Sequence, residues 1–313
     1  MEVELNSIIW CADVISGPDS TSEIVTRFAP SPSGYLHLGH AYSALFAWRL
    51  ADQPNGRFLL RIEDIDGSRN KSEFEDAIYE DLDWLGITWN EPAMHQSKRT
   101  DVYRAALNRL AEMNLLYPCF CTRKDILAEI NSSAGAPHGH NDYGPIYPGI
   151  CRAVAEPERT ARIDAGTPYA MRLDIAKAIE IAGDLTWHDR IKGEQQVQPE
   201  HLGDVVLARK DIATSYHLAV TVDDAAQGIT LVTRGEDLFD STQVHRLLQA
   251  LLGLDTPEWH HTPMLTDPAG KRLAKRDNAL TLREMRKKGV SGDSIWALAI
   301  QNLARLTTAV EGM

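Results

Sequence analysis

Apolar positions change their spacing several times along this chain, and each change predicts an element. Glu23–Phe28 has the β-branched run of a buried strand, Pro30 and Pro32 stop it from continuing as sheet, and Leu38–Leu50 then carries apolar residues at amphipathic-helix spacing. Arg57–Ile62 alternates like a second strand and ends in Glu63-Asp64-Ile65-Asp66, carboxylates at a strand end where α/β sheets place ligand groups. Phe74–Leu85 and Thr100–Leu115 return to helical periodicity. From Tyr117 to Glu200 the alternation breaks, with a Gly/Pro-rich stretch over 134–149. Tyr216–Val222 and Ile229–Val232 restore a strand pattern, Arg234–Leu238 forms the next turn, and helices are predicted at Ser241–Leu252 and Ser291–Leu306. No internal repeat and no low-complexity tract is present.

Strands alternating with helices predict an α/β catalytic domain interrupted by an insertion. The partition expected is 1–22 as a loosely ordered extension, 23–116 and 201–313 as the two halves of the domain, and 117–200 as the insertion. A 313-residue chain that is 43% hydrophobic can bury a substantial core. No apolar run reaches the roughly eighteen residues of a membrane span, and Met1–Ser22 lacks the basic start of a secretion signal. Four cysteines, three of them clustered, suit a reducing compartment and a metal better than disulfides, so a cytoplasmic protein is expected, as a monomer. The net charge of −12 argues against a uniformly basic RNA binder, but Lys271–Lys288 holds eight basic residues against two acidic ones. A local basic face is what RNA affinity requires.

The strand-to-helix turn Arg27–His40 carries the strongest chemistry. A helix N-terminus offers free N–H groups and partial positive charge to a phosphate, Gly39 lets a ligand approach the backbone, and His37 and His40 can donate to phosphoryl oxygens as they gain charge. In the insertion, Cys119, Cys121 and Cys151 have zinc-like spacing, and a structural site closes with a fourth ligand. The residues alone offer His138 or His140 for that place.

His37-Leu38-Gly39-His40 resembles the HIGH signature of class I aminoacyl-tRNA synthetases, and Arg27-Phe28-Ala29-Pro30-Ser31-Pro32-Ser33-Gly34 is similar to the form found in the glutamyl and glutaminyl branch. Arg272-Leu273-Ala274-Lys275-Arg276 resembles the KMSKS loop, with Lys275 on the ATP-contacting lysine, Arg272 in place of the first lysine and Ala274 in place of a serine. The resemblance implies a Rossmann-like class I catalytic domain with a zinc-bearing insertion, using ATP with Mg²⁺ as substrate and His37, Gly39, His40 and Lys275 as its ATP and catalytic residues. It implies a glutamate pocket of Arg27, Ala29, Ser31, Glu63, Tyr216 and Arg234, with Glu63 on the ammonium. An arginine fork on a carboxylate favours glutamate over glutamine. Tyr147, in Tyr147-Pro148-Gly149-Ile150-Cys151, is implied as fourth ligand to one structural Zn²⁺. Only 38 residues follow Lys275, too few for an anticodon-binding domain. The resemblance is therefore to a truncated branch that activates L-glutamate without tRNA and places it on queuosine in tRNA(Asp). The alternatives are a truncated enzyme charging a tRNA 3′ end and an inert tRNA- or amino-acid-binding paralogue.

Overall fold

The structure, a computed structural model, describes residues 23–132, 140–141, 144–264 and 280–298. Strand β1 (Val25–Phe28) is buried at every position and runs parallel to β2 (Arg57–Ile62), which pairs parallel with β3 (Met94–His95). Helix α1 (Leu38–Ala51) makes the crossover between β1 and β2, and α2 (Ser72–Trp84) lies between β2 and β3 in the chain. A second parallel pair, β9 (Leu231–Gly235) with β10 (Glu258–Thr262), continues through β6 (Thr186–Asp189) to β7 (Gly193–Gln196). Thr230 joins the two groups. Its amide donates to Val25 O at 3.0 Å and its hydroxyl accepts from Val25 N at 2.9 Å, so β9 continues the sheet beside β1. From β1 the sheet thus extends one way to β2 and the other way to β9. That is the switch-point arrangement that opens a crevice at the carboxyl ends of parallel strands.

Strands β4 (Leu116–Cys119), β5 (Ala170–Leu173) and β8 (Val206–Ala208) form a separate antiparallel sheet in the order β8-β5-β4. Membership of the two sheets therefore interleaves along the chain: 186–196 extends the parallel sheet, while 206–208 belongs to the small one.

Helix α3 (Thr100–Glu112) packs with α4 (Tyr216–Ala226) and α5 (Ser241–Leu252) through Tyr103, Leu110, Leu218, Ala219, Val222, Val244 and Leu248. This corrects the strand expected at Tyr216–Val222, which is the body of α4. Every residue from Leu218 to Asp224 is buried, so the segment has no polar face to betray a 3.6-residue period. A short apolar run of this kind reads equally as a buried strand, and the β-branched Val220, Thr221 and Val222 tilted the reading that way. The turn expected at Arg234–Leu238 begins two residues later, because Arg234 and Gly235 close β9. The other expected elements agree to within a few residues, and of Ser291–Leu306 the described part is helical over 292–298. Leu282 and Ile295 are buried in the core formed by α1, α2 and β2.

Candidate active site

The turn after β1 is shaped by its two histidines. His37 is the N-cap of α1: its Nδ1 accepts from Gly39 N at 3.1 Å, and His40 Nδ1 accepts in return from His37 N at 3.2 Å. A backbone N–H can only donate, so both rings carry their lone pair on Nδ1 and a proton on Nε2. The rings lie against each other, centroids 3.9 Å apart and planes tilted by 40°. The pair thus satisfies the helix end and keeps an Nε2–H on each ring beside the cavity that both residues line. Gly39 has a nearer reason to be glycine than ligand approach, since a Cβ there would stand 3.0 Å from His37 Cε1.

These residues line a cavity of about 500 Å³ in the crevice between β1 and β9. Arg27, Ala29, Ser31, His37, Gly39, His40, Glu63, Tyr216 and Arg234 all border it, so each predicted glutamate or nucleotide residue that is described meets the others there. Lys275, with Arg272 and Ala274, lies outside the described residues. The flanks of its segment are at the site: Met264 lines the cavity, and Leu282 N donates to Leu36 O at 2.8 Å beside a bridge between Thr281 and His37.

Two buried charge systems lie under the cavity, and the sequence reading identified only part of each. In the first, Asp224 accepts from Arg27 Nε at 2.9 Å and from Arg61 Nη1 at 2.7 Å, while Arg61 also reaches Glu63 at 3.3 Å. Burial raises the Glu63 carboxyl, with Arg61 and Arg27 opposing the shift. Burial also raises Asp224, but the two guanidiniums outweigh it and hold that carboxyl below the ordinary range. Asp224 lies two residues beyond the strand expected at Tyr216–Val222, and it is the helix continuing to Ala226 that buries it. The helical reading would have put an acidic pair on a buried helix and flagged it.

In the second system Arg234, 8% exposed, donates Nε to His261 Nε2 at 3.1 Å, Nη1 to His245 Nδ1 at 3.1 Å, and Nη2 to Thr242 Oγ1, with Tyr216 OH at a longer 3.4 Å. His261 Nδ1 is 2.7 Å from Asp189 Oδ2, and His245 Nε2 is 3.2 Å from His217 Nδ1. Burial, joined by the Arg234 charge, drives His217 and His261 down to about 4 and His245 well below its ordinary value. All three rings are neutral at pH 7. Among the described residues, no carboxylate lies within 4.0 Å of the Arg234 guanidinium.

At the end of β4, the Sγ atoms of Cys119, Cys121 and Cys151 lie within 4.8 Å of one another. Tyr147 OH accepts from Cys151 N at 2.8 Å and stands 3.8 Å from Cys121 Sγ. Burial raises the Cys121 thiol to about 12 and holds Tyr147 as a phenol. Burial likewise acts to raise Cys151, but hydrogen bonds from Tyr147, Phe120 N and Cys121 bring it below the usual thiol value. Zinc at roughly 2.3 Å from each sulfur needs sulfurs a little under 4 Å apart, and this cluster fits with small adjustment. His138 and the side chain of His140 lie outside the described residues.

A paired-histidine helix start at a switch-point crevice, with buried cations and a carboxylate around it, defines a class I synthetase catalytic domain. The chain belongs to the class I tRNA synthetases (E and Q), whose catalytic-domain model matches residues 23–312, and it is a ligase of that family. It is 48% identical to the glutamyl-Q tRNA(Asp) synthetase of Rhodobacter capsulatus, over 86% of this chain and 96% of that one. With the enzyme of the same name from Symbiobacterium thermophilum it shares 42% identity, over 91% and 87%. The glutamate–tRNA ligase of Aquifex aeolicus is 38% identical over 88% of this chain but only 56% of its own length. Among solved structures, a glutamate tRNA ligase from Elizabethkingia meningosepticum in complex with its amino acid superposes with a TM-score of 0.68 at 31% identity, covering 82% of this chain and 52% of that protein. The chain therefore spans about half the length of the glutamate tRNA ligases it matches. Among the described residues no helix is long and apolar enough to cross a membrane.

Proposed function

We propose that this protein activates L-glutamate with ATP, without tRNA, and transfers the glutamyl group to queuosine in the anticodon of tRNA(Asp). The observation that carries the glutamate reading is Arg234: a buried cation at the cavity wall, held by neutral acceptors, with no carboxylate partner among the described residues. A ligand carboxylate supplies the missing charge, and a charge-assisted pair of this kind contributes about 1.5–3 kcal/mol. Glu63 takes the α-ammonium, and Arg27, Ala29, Ser31 and Tyr216 complete the pocket.

The α-carboxylate oxygen attacks the α-phosphorus of ATP, which enters as its Mg²⁺ complex. A P–O bond forms to glutamate, the bond to the β-phosphate breaks, and pyrophosphate leaves. The Nε2–H groups of His37 and His40, with Lys275, stabilise the charge on the pentacovalent phosphorus, and no protein nucleophile is needed. A hydroxyl of the queuosine cyclopentenediol then attacks the glutamyl carbonyl, losing its proton as AMP departs. Cys119, Cys121, Tyr147 and Cys151 would hold a structural Zn²⁺ that braces the insertion.

The queuosine acceptor is supported by the relatives, several of which carry the glutamyl-Q name at 42–48% identity. The test is an anticodon stem-loop of tRNA(Asp) incubated with labelled glutamate and ATP. With queuosine it becomes labelled, and with guanosine in that place it does not. Label on the terminal adenosine of whole tRNA, or equal labelling without queuosine, overturns the proposal in favour of a 3′-end charger.

A further inference from the structure

Three guanidiniums stand at or under the cavity, and they are held in two different ways. Arg27 and Arg61 share the carboxylate of Asp224, whereas Arg234 is gripped through Nε and Nη1 by His261 and His245 and through Nη2 by Thr242. A guanidinium only donates, so both imidazole nitrogens facing it must carry lone pairs. What lies behind each ring explains why they do. Asp189, fully buried, accepts from Ile191 N and Lys192 N on Oδ1 and from His261 Nδ1 on Oδ2, which draws the ring proton of His261 away from Arg234. His245 donates its Nε2–H to His217 Nδ1, which keeps the ring proton on the side away from Arg234 in the same sense.

We infer that His245 and His261 are specificity-determining residues, neutral acceptors that fix the plane of Arg234 without cancelling its charge, and that Asp189 is the positioning residue that keeps His261 in its accepting tautomer. The inference rests on the reading of Arg234 as the partner of the substrate's side-chain carboxylate. A carboxylate at either histidine position would hold the guanidinium more strongly but would already neutralise it. Glutamate would then meet a closed ion pair, while glutamine, which needs only a hydrogen bond, would lose little. Selection of glutamate here is a matter of leaving one charge unspent.

His245→Gln and His245→Glu are close in shape and differ by one charge. In glutamate-dependent ATP–pyrophosphate exchange, His245→Gln should keep KM for glutamate within about threefold of the parent. His245→Glu should raise it about 100-fold, leave KM for ATP unchanged, and narrow the preference for glutamate over glutamine by a similar factor. Equal KM values and equal selectivity in the pair overturn the inference. Should His245→Glu fail to fold, Asp189→Asn decides. Its amide oxygen stays with the two backbone N–H groups that meet Oδ1 at 2.9 and 2.8 Å rather than the single longer one from His261 N at 3.2 Å on Oδ2, so its NH₂ faces His261 Nδ1 and drives the ring proton onto Nε2, against Arg234 Nε–H. KM for glutamate should rise about tenfold with KM for ATP unmoved. No rise, or an equal rise in both, overturns the inference. Arg234→Gln separates the two readings: unchanged KM for glutamate rejects the role of Arg234 and the inference with it, whereas a large rise beside an indifferent His245 pair rejects the inference alone.

Discussion

Asp224→Asn is the sharpest probe of the cavity floor. The carboxylate is nine-tenths buried and holds two guanidiniums, Arg27 and Arg61, whose side chains are 7% and 0% exposed. The asparagine keeps the shape but not the charge, and one end of its amide must turn a donor toward a guanidinium that can only donate. Arg27 then keeps only the Thr233 carbonyl and the weakened amide, while Arg61 keeps Glu63 and Gln227. Removing one partner of a buried ion pair costs about 3–5 kcal/mol, mostly as the penalty of the stranded charge. Since Arg61 keeps Glu63 and Gln227, the lower part of that range applies. At about 2–4 °C per kcal/mol for a domain of this order, the melting temperature should fall by roughly 6–12 °C. The pH dependence carries an independent check. The folded carboxyl lies below its ordinary value, so its contribution is present above the unfolded pKa near ~3.9 and is lost as pH falls through the folded value. The gap between parent and variant should be full at pH 7 and shrink below about pH 4. Calorimetric or circular-dichroism melts from pH 7 to pH 3 measure both. A variant that melts within about 1 °C of the parent, or a gap that stays constant on acidification, refutes the reasoning.

Four further outcomes are expected. Glu63→Gln should abolish glutamate-dependent exchange yet melt no lower than the parent at pH 7: burial raises this carboxyl, so its ionisation weakens the fold once pH passes above the ordinary value, and a lower melt contradicts that sign. His37→Asn and His37→Ala should both cost exchange by orders of magnitude, but only alanine should lose the cap, worth about 1 kcal/mol in urea unfolding; equal stabilities would deny the capping role. Zinc should co-purify at one ion per chain by elemental analysis, and Cys151→Ser should release it; zinc-free protein prepared without chelator contradicts the site. Lys275→Ala should reduce pyrophosphate exchange by orders of magnitude with the melt unchanged, whereas unaltered exchange would mean that its segment does not touch ATP.

Much of the site could be read from one dimension because its chemistry is local. His37 and His40 cap one helix end from three residues apart, and prolines at 30 and 32 force the chain out of β1 at that spot, so the residues alone marked a strand-to-helix turn there, and the structure has one. The same holds for Arg57–Ile62 running into Glu63, and for Cys119, Cys121 and Cys151, whose thiols the fold does bring together. What the sequence could not decide depends on which distant groups share a buried volume. Within the helix Tyr216–Ala226 every residue from Leu218 to Asp224 is buried, with α3 and α5 packed against it, and an apolar run enclosed in that way has no polar face to report its period. Asp224 meets Arg27 across 197 positions, and Arg234 reaches His261 only because β9 and β10 lie side by side in register. A charge's worth depends on what neutralises it. Arginines 27 and 234 are identical in the sequence, and only the tertiary structure gives one a carboxylate and leaves the other with neutral imidazoles.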